Sequence, residues 1–211
     1  MKKLPFTGEQ IGDLIKKYPT PLYIYDEAGI RRQARQLIKA FSWAPGFKEF
    51  FSVKALPNPE ILKILKEEGC GADCSSLPEL IIADRAGVGG EDIMFSSNDT
   101  PFEEFIEAKK RDAIINLDDV NHLEYIESHM ELPEMICFRY NPGPMQYGND
   151  LIGNPRDAKF GVTREQLFEG YRRAKKKGVK RFGLHTMPIS NELHANYFIE
   201  SAHEFFTHAK E

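Results

Sequence analysis

Six short apolar runs in this chain each end on a side chain that can do chemistry. Lys54 follows Phe50-Phe51-Ser52-Val53, Asp73 follows Gly71-Ala72, and Ser96 with Ser97 follows Ile93-Met94-Phe95. Asn116 follows Ile114-Ile115, Arg139 follows Met135-Ile136-Cys137-Phe138, and His185 follows Phe182-Gly183-Leu184. A lysine that ends a buried strand is costly unless its charge is used or relieved. Desolvation lowers an amine's pKa, and the neutral amine is the nucleophile that attacks carbonyl carbon to give a Schiff base. A buried arginine calls for anionic partners, which a ligand or a carboxylate supplies. Each residue taken alone has a plainer reading: a lysine that snorkels to the rim, an Asx turn at Asp73 after Gly71, a structural ion pair at Arg139. It is their recurrence at equivalent places that carries weight.

The elements needed to position such a set are legible in the periodicity. A short helix from Thr7 to Tyr18 and Pro19-Thr20-Pro21 lead to LYIYD, which reads as a strand. Asp26 then caps a long helix with Ile30, Ala34, Leu37, Ile38 and Phe41 at helical spacing. From KEFFSVKA onward, strand and helix alternate with a step of about twenty residues: PEILKILKEEG, GADCSS, LPELIIADRAG stopping at Gly87, DIMFSSND, and TPFEEFIEAKKR with Thr100 as N-cap and Pro101 at the first helical position. DAIINLD, DVNHLEYIES, EMICFRYNPG, TREQLFEGYRRAKKKG, RFGLHT and NELHANYFIESAHEFFTHAK complete the series. This is the pattern of parallel βαβ units. An open doubly wound sheet alternates in the same way, but it would spread the strand-end polar residues along a line. A (β/α)8 barrel gathers them round one mouth, and that is the architecture expected, with about six βα units present. The expected division is 1–30 as a segment leading into the barrel and 31–211 as a partial barrel, the remaining barrel units lying outside the chain.

Bulk properties exclude several classes. With 211 residues, 41% hydrophobic, the chain can bury a core. A net charge of -4 argues against nucleic-acid binding. No apolar run approaches the roughly 18 residues of a membrane span, and MKKLPFTGEQ lacks the apolar stretch of a signal peptide, so a cytoplasmic location is expected. Cys70, Cys74 and Cys137 read as reduced, buried thiols. The basic run from Arg172 to Lys177 reads as a solvated helix end, and His194, His203 and His208 as surface residues without metal spacing. The long loop from Asn141 reads as a lid or substrate-contacting segment.

The ordered set FFSVKALPNPEILKILKEEGCGADCSSLPEL, preceded by TPLYIYD and followed by RYNPG and KFGVT, resembles the family of diaminopimelate, ornithine and arginine decarboxylases, which are pyridoxal 5'-phosphate (PLP) enzymes on an alanine racemase-like barrel. The similarity runs from about Pro21 to Ser190. It implies a C-terminal β domain beyond the remaining barrel units. It implies that Lys54 is the Schiff-base lysine, that Asp73 sets its charge and position, and that Glu79 supports the site from behind. It implies that Arg139 faces the cofactor and that Lys159-Phe160-Gly161 is the family's turn after the long loop. His185, Met187 and Ser190 fall on the Gly-hydrophobic-His-x-His-Ile-Gly-Ser station of diaminopimelate decarboxylases. Here Met187 and Ile189 replace the second histidine and the glycine. Methionine can still pack on a ring through its sulfur, but it supplies no imidazole.

The implied activity is decarboxylation of a small amino acid, with meso-diaminopimelate to lysine first and ornithine, arginine or carboxynorspermidine as rivals. Lys54 and His185 are the implied catalytic residues, and the full-length enzyme is expected to be a homodimer. Two other classes stay open: an inactive fragment or regulatory PLP-binding module of the same fold, and a small single-barrel PLP carrier.

Overall fold

The computed structural model describes residues 4–143, 146, 154–157 and 160–211, and at its centre is a six-stranded parallel sheet. The strands are β1 (Phe50–Ser52), β2 (Gly71–Cys74), β3 (Ile93–Phe95), β4 (Ile114–Leu117), β5 (Met135–Tyr140) and β6 (Arg181–Thr186). Each hydrogen-bonds to the next in sequence, always in parallel. Doubly wound sheets reverse their strand order at a switch point, whereas a barrel proceeds in sequence order. The unbroken order β1-β2-β3-β4-β5-β6 is therefore that of six units of a (β/α)8 barrel.

Helices α3 (Pro59–Glu67), α4 (Leu77–Ala86), α5 (Phe102–Lys110), α6 (His122–Glu127), α7 (Arg164–Lys176) and α8 (Ala195–Lys210) follow β1 to β6 in turn. Before them come α1 (Gly8–Lys17) and α2 (Glu27–Ala40), so that α2 straddles residue 30. Local chemistry sets several boundaries. Thr7 and Thr163 close capping boxes with Gln10 and Gln166. The Asn58 side chain accepts from the Glu60 amide, with Pro59 opening α3. Gly87 stops α4 at φ +74°, a left-handed conformation that L side chains rarely adopt.

Alternation along the strands divides the sheet into two faces. Ala72, Cys74, Ile93, Phe95, Ile115, Leu117, Ile136 and Phe138 point outward and are buried together with Leu62, Leu80, Phe105, Leu123 and Leu167 from the helices. Asp73, Met94, Asn116, Arg139 and His185 occupy the opposite, inward positions. On that face there is little room at two positions: a Cβ at Gly183 would clash with Cys137 Sγ, and one at Gly71 would stand 2.5 Å from the Asp92 carbonyl oxygen.

Four expectations are corrected. Residues 22–26 (LYIYD) form no strand and pair with none among the described residues, so an alternating pattern gives no strand without an adjacent edge. Asp26 is the N-cap of α2 but its side chain makes no capping hydrogen bond. The helix after β3 begins one residue later than its sequence suggests, with Pro101 as N-cap and the Thr100 hydroxyl buried without a partner. His208 is not a surface residue: its side chain is 7% exposed and packs edge-on against Tyr140, centroids 4.8 Å apart, with Nε2 3.9 Å from Glu204. The three cysteines are free and buried as expected, and burial raises the thiol pKa of each, to about 12 at Cys74 and Cys137.

Candidate active site

The lysine side of the mouth is built by β1, β2 and β3. After Ser52 the chain turns through a single 3-10 turn, Val53–Ala55. The turn breaks the strand's alternation and gives the buried position to Val53, 1% exposed, while Lys54 is exposed. Of the two readings of Lys54, the side chain takes the rim position among the described residues. Beside it, Asp73 is directly opposite Ser52 in the β1–β2 register. Ser52 Oγ donates to Asp73 Oδ2 at 3.3 Å, and Ser96 Oγ donates to Oδ1. Burial pushes the Asp73 carboxyl above its ordinary pKa, the Glu79 charge adds to that, and the Ser96 hydroxyl, the Lys54 charge and the Ser52 hydroxyl oppose it. Glu79, in the first turn of α4, accepts from the Ser75 amide at 3.0 Å and from the Ser75 and Ser76 hydroxyls at 3.2 Å. It pins the turn that follows Asp73.

The other side belongs to β4, β5 and β6. Arg139 Nη1 donates to Asn98 Oδ1 at 3.0 Å and to Asp118 at 3.3 Å, and Nη2 donates to the Met187 carbonyl at 3.4 Å. The guanidinium also lies over the Phe160 ring, 5.5 Å from its centroid. Burial raises the Asp118 pKa, while Arg139 and the Gly161 amide pull it down. His185 is opposite Arg139 in the β5–β6 register. Burial lowers its pKa to about 4, reinforced by the Arg139 and Lys54 charges, and its Nδ1 is buried with no hydrogen-bond partner. Asn116 is 1% exposed with both amide atoms unpartnered. Beyond β6, Met187 is 39% exposed and Ser190 is half-buried. Lys159 and most of the loop from Asn141 lie outside the described residues.

Lys54, Asp73, Arg139 and His185 thus share one end of the sheet, with Glu79 beneath the lysine side. Sequence reasoning missed Ser52, Asn98 and Asp118. Asn98 and Asp118 stand two residues beyond Ser96 and Asn116, so carrying the inward alternation one step past each strand would have found them. The basic run ending α7 is more engaged than a solvated face: Arg173 pairs with Glu124 and Lys177 with Glu127.

The family described as pyridoxal-dependent decarboxylase, pyridoxal binding domain, matches residues 27–205. Protein TabA of Pseudomonas amygdali pv. tabaci is 40% identical over 183 residues, 87% of this chain and 43% of that protein. The diaminopimelate decarboxylase of Thermoplasma acidophilum is 32% identical over 202 residues, 95% of this chain and 49% of that protein. Among solved structures, diaminopimelate decarboxylase from Methanocaldococcus jannaschii in complex with L-lysine superposes with a TM-score of 0.81 at 28% identity, covering 94% of this chain and 49% of that one. The chain spans about half the length of the relatives it matches. The matched segment runs through all six strands and the strand-end residues described above, and the chain belongs to the pyridoxal-dependent decarboxylase family, within its pyridoxal binding domain.

Proposed function

We propose that this chain forms the PLP-holding part of an amino-acid decarboxylase, with meso-diaminopimelate as substrate and lysine as product. One observation carries the reading: an accessible lysine amine shares a mouth with a clamped carboxylate, a fixed guanidinium and a neutral imidazole. The residues fit a bound PLP. His185 Nδ1 and the Asn116 amide are buried polar atoms without partners, a costly state that a ligand or the water around it relieves. Lys54 would carry the cofactor covalently, with Asp73, Arg139, His185, Met187 and Ser190 around it. Bound there, PLP supplies an electron sink for the electrons left when carbon dioxide departs.

The chain's own residues do the rest. Lys54 Nζ stands beside Asp73, where a proton can pass to or from the reacting carbon. Arg139, anchored by Asp118 and Asn98, presents a fixed cation to anionic oxygen. His185 stays neutral above about pH 4, so it offers a polar ring without adding a second positive charge. Glu79 holds the turn that keeps Asp73 in place. The reading extends to a homodimeric cytoplasmic enzyme acting on a small amino acid. Among the described residues no helix is long and apolar enough to cross a membrane.

A second reading is favoured by Met187 and Ile189, which stand in place of the histidine and glycine at the diaminopimelate decarboxylase station: a family member that decarboxylates a different amino acid. The test is to load the purified full-length protein with PLP, follow the visible absorption band and its removal by borohydride, and assay carbon dioxide release. Meso-diaminopimelate, ornithine and arginine are compared. Release from diaminopimelate alone supports the first reading. Release from another amino acid supports the second, and a band with no release from any amino acid contradicts both in favour of a binding module.

A further inference from the structure

We propose that Ser52 and Ser96 are positioning residues that clasp both oxygens of Asp73 and keep it an ionised carboxylate beside Lys54, setting the acid limit of the lysine–cofactor unit. The inference rests on the PLP reading of Lys54. The two hydroxyls come from the strands on either side of β2, and each takes a different carboxylate oxygen. Ser52 lies opposite Asp73 in the β1–β2 register. Ser96 stands two residues beyond Met94, which is the register partner of Asp73 on β3, and reaches back diagonally.

The arrangement opposes two forces that would neutralise Asp73. Burial disfavours its charge, and Glu79 at the start of α4 adds a like charge. Facing it from the other side is Lys54, exposed on the turn after β1, whose charge also favours the carboxylate but makes no hydrogen bond to it. Hydrogen bonds donated to a charged acceptor are stronger than those between neutral groups. A flexible lysine attracts the carboxylate but does not orient it. The serines do both, because a carboxylate with each oxygen bound has one orientation, and that orientation is present before any cofactor binds. Cys74 points to the outer face and Met94 carries no donor, so within β2 and the register row these two hydroxyls are the clasp.

The test is a titration of the visible band of the PLP-loaded full-length protein from neutral pH down to about pH 4. Asp73→Asn identifies the Asp73 contribution by abolishing the acid transition. Ser96→Ala is expected to move that transition up by about one pH unit, the size of a lost charge-assisted hydrogen bond. Ser52→Ala, with a longer bond, is expected to move it by about half a unit. Ser96→Thr, which restores the hydroxyl, returns it to the wild-type position. If Ser96→Ala does not fold, Ser52→Ala carries the test. A transition that stays put in the alanine variants while the band persists overturns the clasp alone, and a thermal-stability change without a shifted transition does the same. No band in the wild-type protein overturns the PLP reading and the clasp with it.

Discussion

The two sides of the mouth differ in how completely their polar groups are paired. On the lysine side, Asp73 has a hydroxyl on each oxygen and Glu79 accepts three hydrogen bonds from the Ser75-Ser76 turn. On the arginine side, Arg139 is held by Asn98 and Asp118, yet His185 Nδ1 and the whole Asn116 amide are buried and unpartnered. Buried polar groups are nearly always paired, and His185 and Asn116 are the exceptions on the inward face, with Thr100, His122 and His208 further exceptions elsewhere among the described residues. Asp73 and Glu79 are therefore fully held by neighbouring hydroxyls and amides, whereas His185 Nδ1 and the Asn116 amide are not.

The largest effect that would break this contrast is at Asp118. Asp118→Ala leaves a guanidinium that is 12% exposed without its carboxylate. Removing one partner of a buried pair costs about 3–5 kcal/mol. Denaturant titration should show a loss of that order, with Asp118→Asn, which keeps an acceptor, losing less. A loss within about 0.5 kcal/mol, the range of an ordinary surface change, would mean that Asn98 and Phe160 hold Arg139 on their own.

Next comes the pH dependence of stability. His185 has a pKa of about 4 in the folded chain against an ordinary 6.5. The unfolded chain therefore binds the proton first as pH falls. This contribution to stability is complete above about pH 6.5 and is lost progressively down to about pH 4, for a total of about 3 kcal/mol. Asp73 and Asp118, whose pKa values are raised, act in the opposite sense: the folded state holds their protons more tightly, so they lose stability as pH rises through their folded values. The His185 share is isolated by comparing wild type with His185→Gln at pH 7 and pH 4. The two proteins should diverge at pH 7 and converge at pH 4, and parallel curves would contradict the buried, neutral imidazole.

Much of this architecture was legible in the sequence, and the exceptions have physical causes. The alternation of strand and helix and the glycine stop at Gly87 are local, and local signals survive folding. That Lys54, Asp73, Arg139 and His185 share one end of the sheet was legible because a parallel barrel brings every strand's C-terminal end to one face. The exposure of Lys54 was not, because an apolar run does not reveal that Val53–Ala55 leaves the strand as a 3-10 turn. LYIYD has strand composition, but a strand exists only against a neighbour, and that is a long-range fact. His208 is buried by Tyr140 and Phe168, residues 68 and 40 positions away by number, which helical periodicity cannot report. Asp118 and Asn98 lie just past their strands, where the pattern is ordinarily read as loop.

The smallest effect sharpens the contrast from the open side. Asn116→Leu replaces an unpaired buried amide with an apolar side chain of similar size. In the cofactor-free protein it should be neutral or stabilising by about 1 kcal/mol, while weakening PLP binding. A clear loss of stability with unchanged PLP affinity would show that Asn116 serves the fold alone.

The most direct measurement is the address of the cofactor. The PLP-loaded protein is reduced with borohydride, digested, and the modified peptide identified by mass spectrometry. The label is expected on Lys54, with Lys54→Ala taking up none and retaining wild-type thermal stability. A label on any other lysine, or an equal label in Lys54→Ala, would contradict the assignment on which this reading of the mouth depends.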